Sequence, residues 1–143
     1  MVKAVIGFGS NLGDRSENIR RAAERLGVSR LSSLIETEPM YVEDQPPFIN
    51  AVGFLDTCLG PLALLRLLKS LESEIGRLPR QRYGPREIDL DLIAYGRLQL
   101  RSVVYGATKL QVPHPRLAER NFVLDPLAEL DPFLQIPGLE RGA

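Results

Sequence analysis

Two amphipathic helical stripes, each with its own start and stop signals, are set among extended apolar runs. Their order along the 143 residues restricts the fold more than any other feature. Residues 2–8 have the continuous apolar content of a buried strand. "DRSE" then opens a helix, with Asp14 as N-cap and Glu17 three residues on, and Gly27 closes it. Between them Ile19, Ala22, Ala23 and Leu26 keep the spacing of one apolar helix face, which predicts a helix laid on a sheet. Residues 28–36 read as a weaker strand, 41–47 as a polar, Pro-rich loop, and "FINAVGFLDT" as a central strand apolar on both faces. Pro61 starts a second helix with a stripe of Leu64, Leu68, Leu71 and Ile75, stopped by Gly76. A Pro- and Gly-containing loop follows, and then the strand within "REIDLDLIAYG". The order β-α-β-β-α-β is that of an α+β, ferredoxin-like antiparallel sheet with both helices on one face. Beyond Gly96 a short hairpin, the "VPHP" loop and an additional C-terminal helical segment at 122–130 are expected to cover the other face. Residues 1–143 are expected to form a single domain.

A hydrophobic content of 44% with 25% charged residues suits one globular domain with a real core. Eighteen basic residues offset eighteen acidic ones, so the overall field favours neither nucleic acid nor an anionic membrane as partner. The apolar run after Lys3 ends at Gly7, too short for a secretory segment, and no stretch has the length of a membrane span. A soluble, cytoplasmic monomer is the expectation. Cys58 is the sole cysteine, which excludes an internal disulfide, and it is expected to be buried and inert.

Read as a strand, the segment at 86–96 puts Asp89 and Asp91 on one face, roughly 7 Å apart, together with Ile93 and Tyr95. That spacing suits one or two hard cations held against a phosphate chain, with magnesium the ion it suggests; the alternative is a solvated edge face. Arg77, Arg80, Arg82 and Arg86 crowd the preceding loop, where guanidinium forks could close over a polyphosphate or simply stay solvated. "GFGSNLGD" follows a strand and opens a helix, but its Gly7, Gly9 and Gly13 spacing fits neither a dinucleotide fingerprint nor a P-loop. Its glycines are expected to serve a tight turn. Phe48 and Asn50 share a strand face, a flat ring beside an amide that both donates and accepts, which suits a planar heterocycle. The alternative there is core packing with a satisfied amide. His114, the one histidine, cannot define a metal site or a triad but could donate to a phosphate.

Taken together, "GSNLGD", "TEPMYVEDQPPFINAV", "RYGPREIDLDLI" and "VPHPRLAERNFVLDPL" resemble the 6-hydroxymethyl-7,8-dihydropterin pyrophosphokinases of folate biosynthesis, in order and over nearly the whole chain. The resemblance implies a Mg-dependent diphosphokinase that moves a pyrophosphoryl group from ATP to the pterin hydroxymethyl and leaves AMP. Two Mg2+ ions would be held by Asp89 and Asp91. It implies pterin contacts at Thr37, the backbone of Glu38 and Met40, and Asn50, with the rings of Phe48 and Phe122 as a sandwich. ATP contacts would come from Glu72, Arg77, Arg82, Tyr83, Arg86, Leu92, Lys109, Gln111, His114 and Arg120, with Arg77 and Arg86 assisting transfer. Tyr83 stands where the family usually has tryptophan. Two other classes remain open on the residues alone: a non-catalytic module that binds nucleotide or RNA, and a magnesium nuclease or nucleotidyltransferase built on the same aspartates.

Overall fold

The computed structural model describes residues 1–38, 44–76, 87–105 and 108–139. The strand that opens the chain, β1 (Val2–Ser10), runs two residues further than its apolar content predicts. Helix α1 (Arg15–Leu26) begins where the Asp14 side chain accepts the backbone N–H of Glu17 at 3.2 Å, and it ends at Gly27 with φ 75°. The edge segment follows as β2 (Arg30–Leu31) and β3 (Ile35–Thr37), and then β4 (Phe48–Thr57). Helix α2 (Pro61–Ile75) has Pro61 in its first turn and Gly76 at φ 117° beyond its end. The remaining elements are β5 (Asp89–Tyr95), the hairpin β6 (Leu100–Tyr105) and β7 (Thr108–Val112), a short 3-10 helix (Leu117–Glu119) and helix α3 (Asn121–Leu130).

The main sheet has the antiparallel order β2-β4-β1-β5, with β3 continuing β2 along β4, as the β-α-β-β-α-β reading requires. On one face Ala4, Ile6, Phe8, Ala51, Leu55, Leu90 and Leu92 pack beneath α1 and α2, through Ile19, Ala22, Leu64, Leu68 and Leu71. On the other, Val5, Val52, Phe54 and Ile93 meet Val123, Leu127 and Leu130 of α3 and Ile136 beyond it. The β6–β7 hairpin, expected on this face, instead adds Leu100, Leu110 and Val112 to the helix-side cluster, because β7 lies against α2 and β5. The apolar character of both faces of β4 is thereby explained: it is an inner strand covered on each side.

Two one-residue irregularities depart from simple alternation. The edge segment advances four residues from Leu31, opposite Gly53, to Ile35, opposite Asn50, while β4 advances three. Ser32 maintains the ladder across that break, since its N–H donates to Val52 O at 2.8 Å and its hydroxyl accepts the Val52 N–H at 2.9 Å. The displaced Ser33 gives its N–H and hydroxyl to the Glu129 carboxylate of α3. In β5 the register against β1 shifts between Val5 and Ile6. Ile93 and Ala94 consequently both lie in the α3-side cluster, while Tyr95 turns to the opposite face and gives its hydroxyl proton to Leu59 O at 2.6 Å. Tyr95 therefore does not share the face of Asp89 and Asp91, contrary to strict alternation. Cys58 is likewise exposed rather than buried, because it sits past the end of β4 in the turn to α2, outside either apolar stripe.

Candidate active site

On the α3-side face of the sheet, Phe48, Asp89 and Asp91 are only half-buried toward one end of the strands. Alternation along β4 puts Phe48 and Asn50 on the same face as the buried Val52 and Phe54, and alternation along β5 does the same for Asp89 and Asp91 with Ile93. The strand between them, β1, contributes Gly7 and Gly9 to that face. Gly9 lies opposite Asn50 on one side and Asp89 on the other, and Gly7 opposite Val52 and Asp91. A Cβ added at Gly9 would stand 3.2 Å from Asn50 Oδ1 and 3.6 Å from the Phe48 ring; one at Gly7 would stand 3.7 Å from Asp91 Cβ. Both glycines have extended backbone within β1, so only Gly13, at φ 73°, serves the turn that was expected of all three.

On the β4 side Asn50 is buried and donates its Nδ2–H to Thr37 Oγ1 on β3, which fixes the amide with its oxygen toward Gly9. Phe48 is half-buried, as are Thr37 on the edge strand and Phe122 in the first turn of α3, while Glu38 is exposed. The segment entering β4 is held by the turn after β1. Asn11, buried, donates to Gln45 Oε1 at 2.8 Å and to Pro46 O at 3.0 Å, and Arg15 Nη1 donates to Pro47 O at 2.8 Å. "GSNLGD" thus acts as an anchor for the approach to Phe48. Buried polar side chains such as Asn11 leave no mark on hydrophobic periodicity, so the sequence pattern does not reveal this role.

On the β5 side, Arg120 Nη1 lies 3.4 Å from Asp91 Oδ2, and its guanidinium sits 5.5 Å from the Phe122 ring centre. The Arg120 Nε is buried with no hydrogen-bond partner among the described residues. His114 gives its backbone N–H to Ile93 O at 2.8 Å, and its Nδ1 accepts the N–H of Arg116 at 3.1 Å. That bond assigns the imidazole proton to Nε2. Burial, reinforced by the Arg120 charge, lowers the His114 pKa from 6.5 to about 4, against the opposite pull of Asp89. The imidazole is therefore neutral at physiological pH. Lys109 is exposed and Gln111 half-buried on β7, which flanks β5.

Glu72 and Leu92 lie elsewhere. Leu92 packs in the helix-side core, and Glu72 on α2 is 1% exposed. The Glu72 carboxylate accepts the Leu90 N–H at 2.8 Å and meets Lys69 Nζ at 3.3 Å, while Lys69 also donates to Leu90 O. Both outward main-chain groups of Leu90 are therefore satisfied by α2, midway between the two aspartates. Met40, Arg77, Arg80, Arg82, Tyr83 and Arg86 lie outside the described residues.

The family resemblance implies magnesium, and the donor set suits that ion. Among the described residues no group of three or more Asp, Glu, His or Cys side chains could enclose a metal. Magnesium, however, is commonly held by one or two carboxylates, keeping waters and taking phosphate oxygens. Asp89 and Asp91, half-buried beside bare glycine backbone, offer such an open site.

Residues 5–132 match the family described as 7,8-dihydro-6-hydroxymethylpterin-pyrophosphokinase. The chain is 45% identical over 133 residues to the mitochondrial folate synthesis bifunctional protein of Pisum sativum, with 90% of this chain and 25% of that protein covered. It thus spans about a quarter of that relative's length. It is 41% identical over 133 residues to the 2-amino-4-hydroxy-6-hydroxymethyldihydropteridine pyrophosphokinase of Bacillus subtilis, with 89% of this chain and 77% of that protein covered. The fold is similar to the crystal structure of Plasmodium falciparum HPPK-DHPS, with a TM-score of 0.73 at 15% identity, over 99% of this chain and 42% of that one.

Proposed function

This chain belongs to the 7,8-dihydro-6-hydroxymethylpterin-pyrophosphokinase family, and on that premise we propose that it transfers the pyrophosphoryl group of ATP to 6-hydroxymethyl-7,8-dihydropterin in folate biosynthesis, giving the pterin diphosphate and AMP. The observation that carries this reading is the row Asn50, Gly9, Asp89 across three adjacent strands on one face. It sets a ring-and-amide site for a planar heterocycle beside a pair of carboxylates suited to metal-bound phosphate.

In this account the pterin lies between the rings of Phe48 and Phe122, with Asn50 and Thr37 reading its polar edge and Glu38 and Met40 completing the pocket. The triphosphate is gripped by Arg120, whose buried Nε has a donor to offer, and by His114, whose neutral Nε2–H gives a hydrogen bond without adding charge. Lys109 and Gln111 approach from the neighbouring hairpin; Arg77, Arg82, Tyr83 and Arg86, outside the described residues, are assigned to the nucleotide on the family resemblance alone. Glu72 and Leu92 serve the nucleotide through the edge of β5, Glu72 by fixing the main chain and Leu92 by presenting its own.

Asp89 and Asp91 would hold two magnesium ions, which when bound supply charge neutralisation of the phosphates and polarise their oxygens. The pterin hydroxyl oxygen attacks the β-phosphorus in line. A new O–P bond forms as the bond from the β-phosphorus to the α,β-bridging oxygen breaks, AMP departs with that oxygen, and the hydroxyl proton passes to solvent. No side chain acts as a nucleophile; the protein's contribution is alignment and electrostatic stabilisation, with Arg77 and Arg86 assisting. The reading includes magnesium dependence and a monomeric, cytoplasmic enzyme that uses neither nucleic acid nor membrane. No helix among the described residues is long and apolar enough to cross a membrane.

The test is the pair Asp89→Asn and Asp91→Asn. Each keeps the side-chain volume and the fold, and each is expected to lose roughly 100-fold or more of turnover at moderate magnesium. Near-normal turnover of either folded variant at the same magnesium concentration contradicts the assignment.

A further inference from the structure

A side chain is missing from the middle of the site face, and its absence has geometry on every side. Gly9 has extended backbone, so the turn-forming property of glycine does not account for it. The close surroundings do. The space where a Cβ would project is bounded by Asn50 Oδ1 at 3.2 Å, by the Phe48 ring at 3.6 Å and by Asp89 Cβ at 4.0 Å. The residues that would read a heterocycle and the carboxylate that would face phosphate thus both border one vacancy. Neighbouring strands are roughly 4.8 Å apart, so Asn50 and Asp89 are separated by two such steps, about 10 Å of sheet. A bicyclic ring held by Asn50 must lie across Gly9 for a group on its far edge to reach phosphate at Asp89.

We propose that Gly9 is a specificity-determining residue: its bare backbone is the floor over which the exocyclic hydroxymethyl group passes from the pterin pocket to the reacting phosphate. The inference rests on the assignment of Asn50 and Phe48 to the pterin. A methyl group at this position fills the passage and presses on the Asn50 carbonyl, while it makes only ordinary van der Waals contact with Asp89. The pterin side of the site is harmed and the nucleotide side is spared.

The experiment is calorimetric titration of Gly9→Ala with the hydroxymethyldihydropterin and, separately, with magnesium and a non-hydrolysable ATP analogue, beside thermal unfolding of the same preparation. Pterin affinity is expected to fall tenfold or more, with nucleotide affinity within about threefold of the parent protein's. A folded variant that binds pterin as the parent does overturns the proposal. Should the variant fail to fold, the parent protein with bound pterin decides. Nuclear Overhauser contacts between the Gly9 α-protons and the ligand's exocyclic methylene support the proposal, and their absence, with contacts from the Phe48 ring present, overturns it. A parent protein that binds no pterin overturns the functional assignment itself, an outcome distinct from pterin binding that ignores Gly9.

Discussion

The main-chain N–H of Leu90 is bonded at 2.8 Å to the buried carboxylate of Glu72, so an acidic residue on α2 fixes the strand at the point between Asp89 and Asp91. Removing that carboxylate strands a main-chain donor and leaves Lys69 without its i,i+3 partner. Glu72→Ala is expected to lower stability by about 2–4 kcal/mol. Glu72→Gln retains an acceptor for Leu90 and should recover more than half of that loss. Urea denaturation of the two variants checks this, and equal destabilisation would show that the bond to Leu90 is not what matters.

His114 gives a pH prediction that needs no resonance assignment, because it is the only histidine in the chain. In the ligand-free protein without a tag, its Cε1–H resonance should titrate with a midpoint of about 4, not 6.5. The folded pKa lies below the unfolded one, so protons bind preferentially to the unfolded chain between these values. The contribution to stability is complete above pH 6.5 and is lost as pH falls toward 4. A midpoint near 6.5 would mean that the imidazole is neither buried nor held beside Arg120 as described.

Asn50 and Phe48 separate recognition from phosphate chemistry. Asn50→Leu keeps similar bulk but deletes the donor to Thr37 and the acceptor over Gly9. Unpaired polar ligand atoms cost roughly 1–3 kcal/mol, so pterin affinity should fall about tenfold or more. Phe48→Leu should weaken it less, since apolar contact survives the loss of stacking. Nucleotide binding should be nearly unchanged in both. Loss of nucleotide affinity with pterin affinity intact would assign this face to the wrong substrate.

What the sequence conveyed and what it withheld divide along physical lines. Asp14 with Glu17, Gly27, Pro61 and Gly76 are local signals, each acting through a few backbone groups, and the helices begin and end where they indicate. The stripe Leu64, Leu68, Leu71 and Ile75 likewise fixes which side of α2 meets the sheet. The extra residues at Ser33 and Ile93 leave no mark on hydrophobic periodicity, since a bulge is decided by the partner strand. Strict alternation consequently puts Tyr95 on the wrong face. The pairing of Phe48 and Asn50, and of Asp89 and Asp91, follows from alternation alone, but their assembly on one face across Gly9 is a matter of sheet order. The roles of Asn11 and Gly9 depend on neighbours that are distant in sequence, Pro46 for one and Asn50 for the other.

The most direct test of the account is the identity of the products. The protein is incubated with magnesium, ATP and 6-hydroxymethyl-7,8-dihydropterin, and the nucleotide and pterin products are separated and weighed by mass spectrometry. Attack at the β-phosphorus predicts AMP and a pterin diphosphate in equal amounts. ADP together with a monophosphorylated pterin would contradict it.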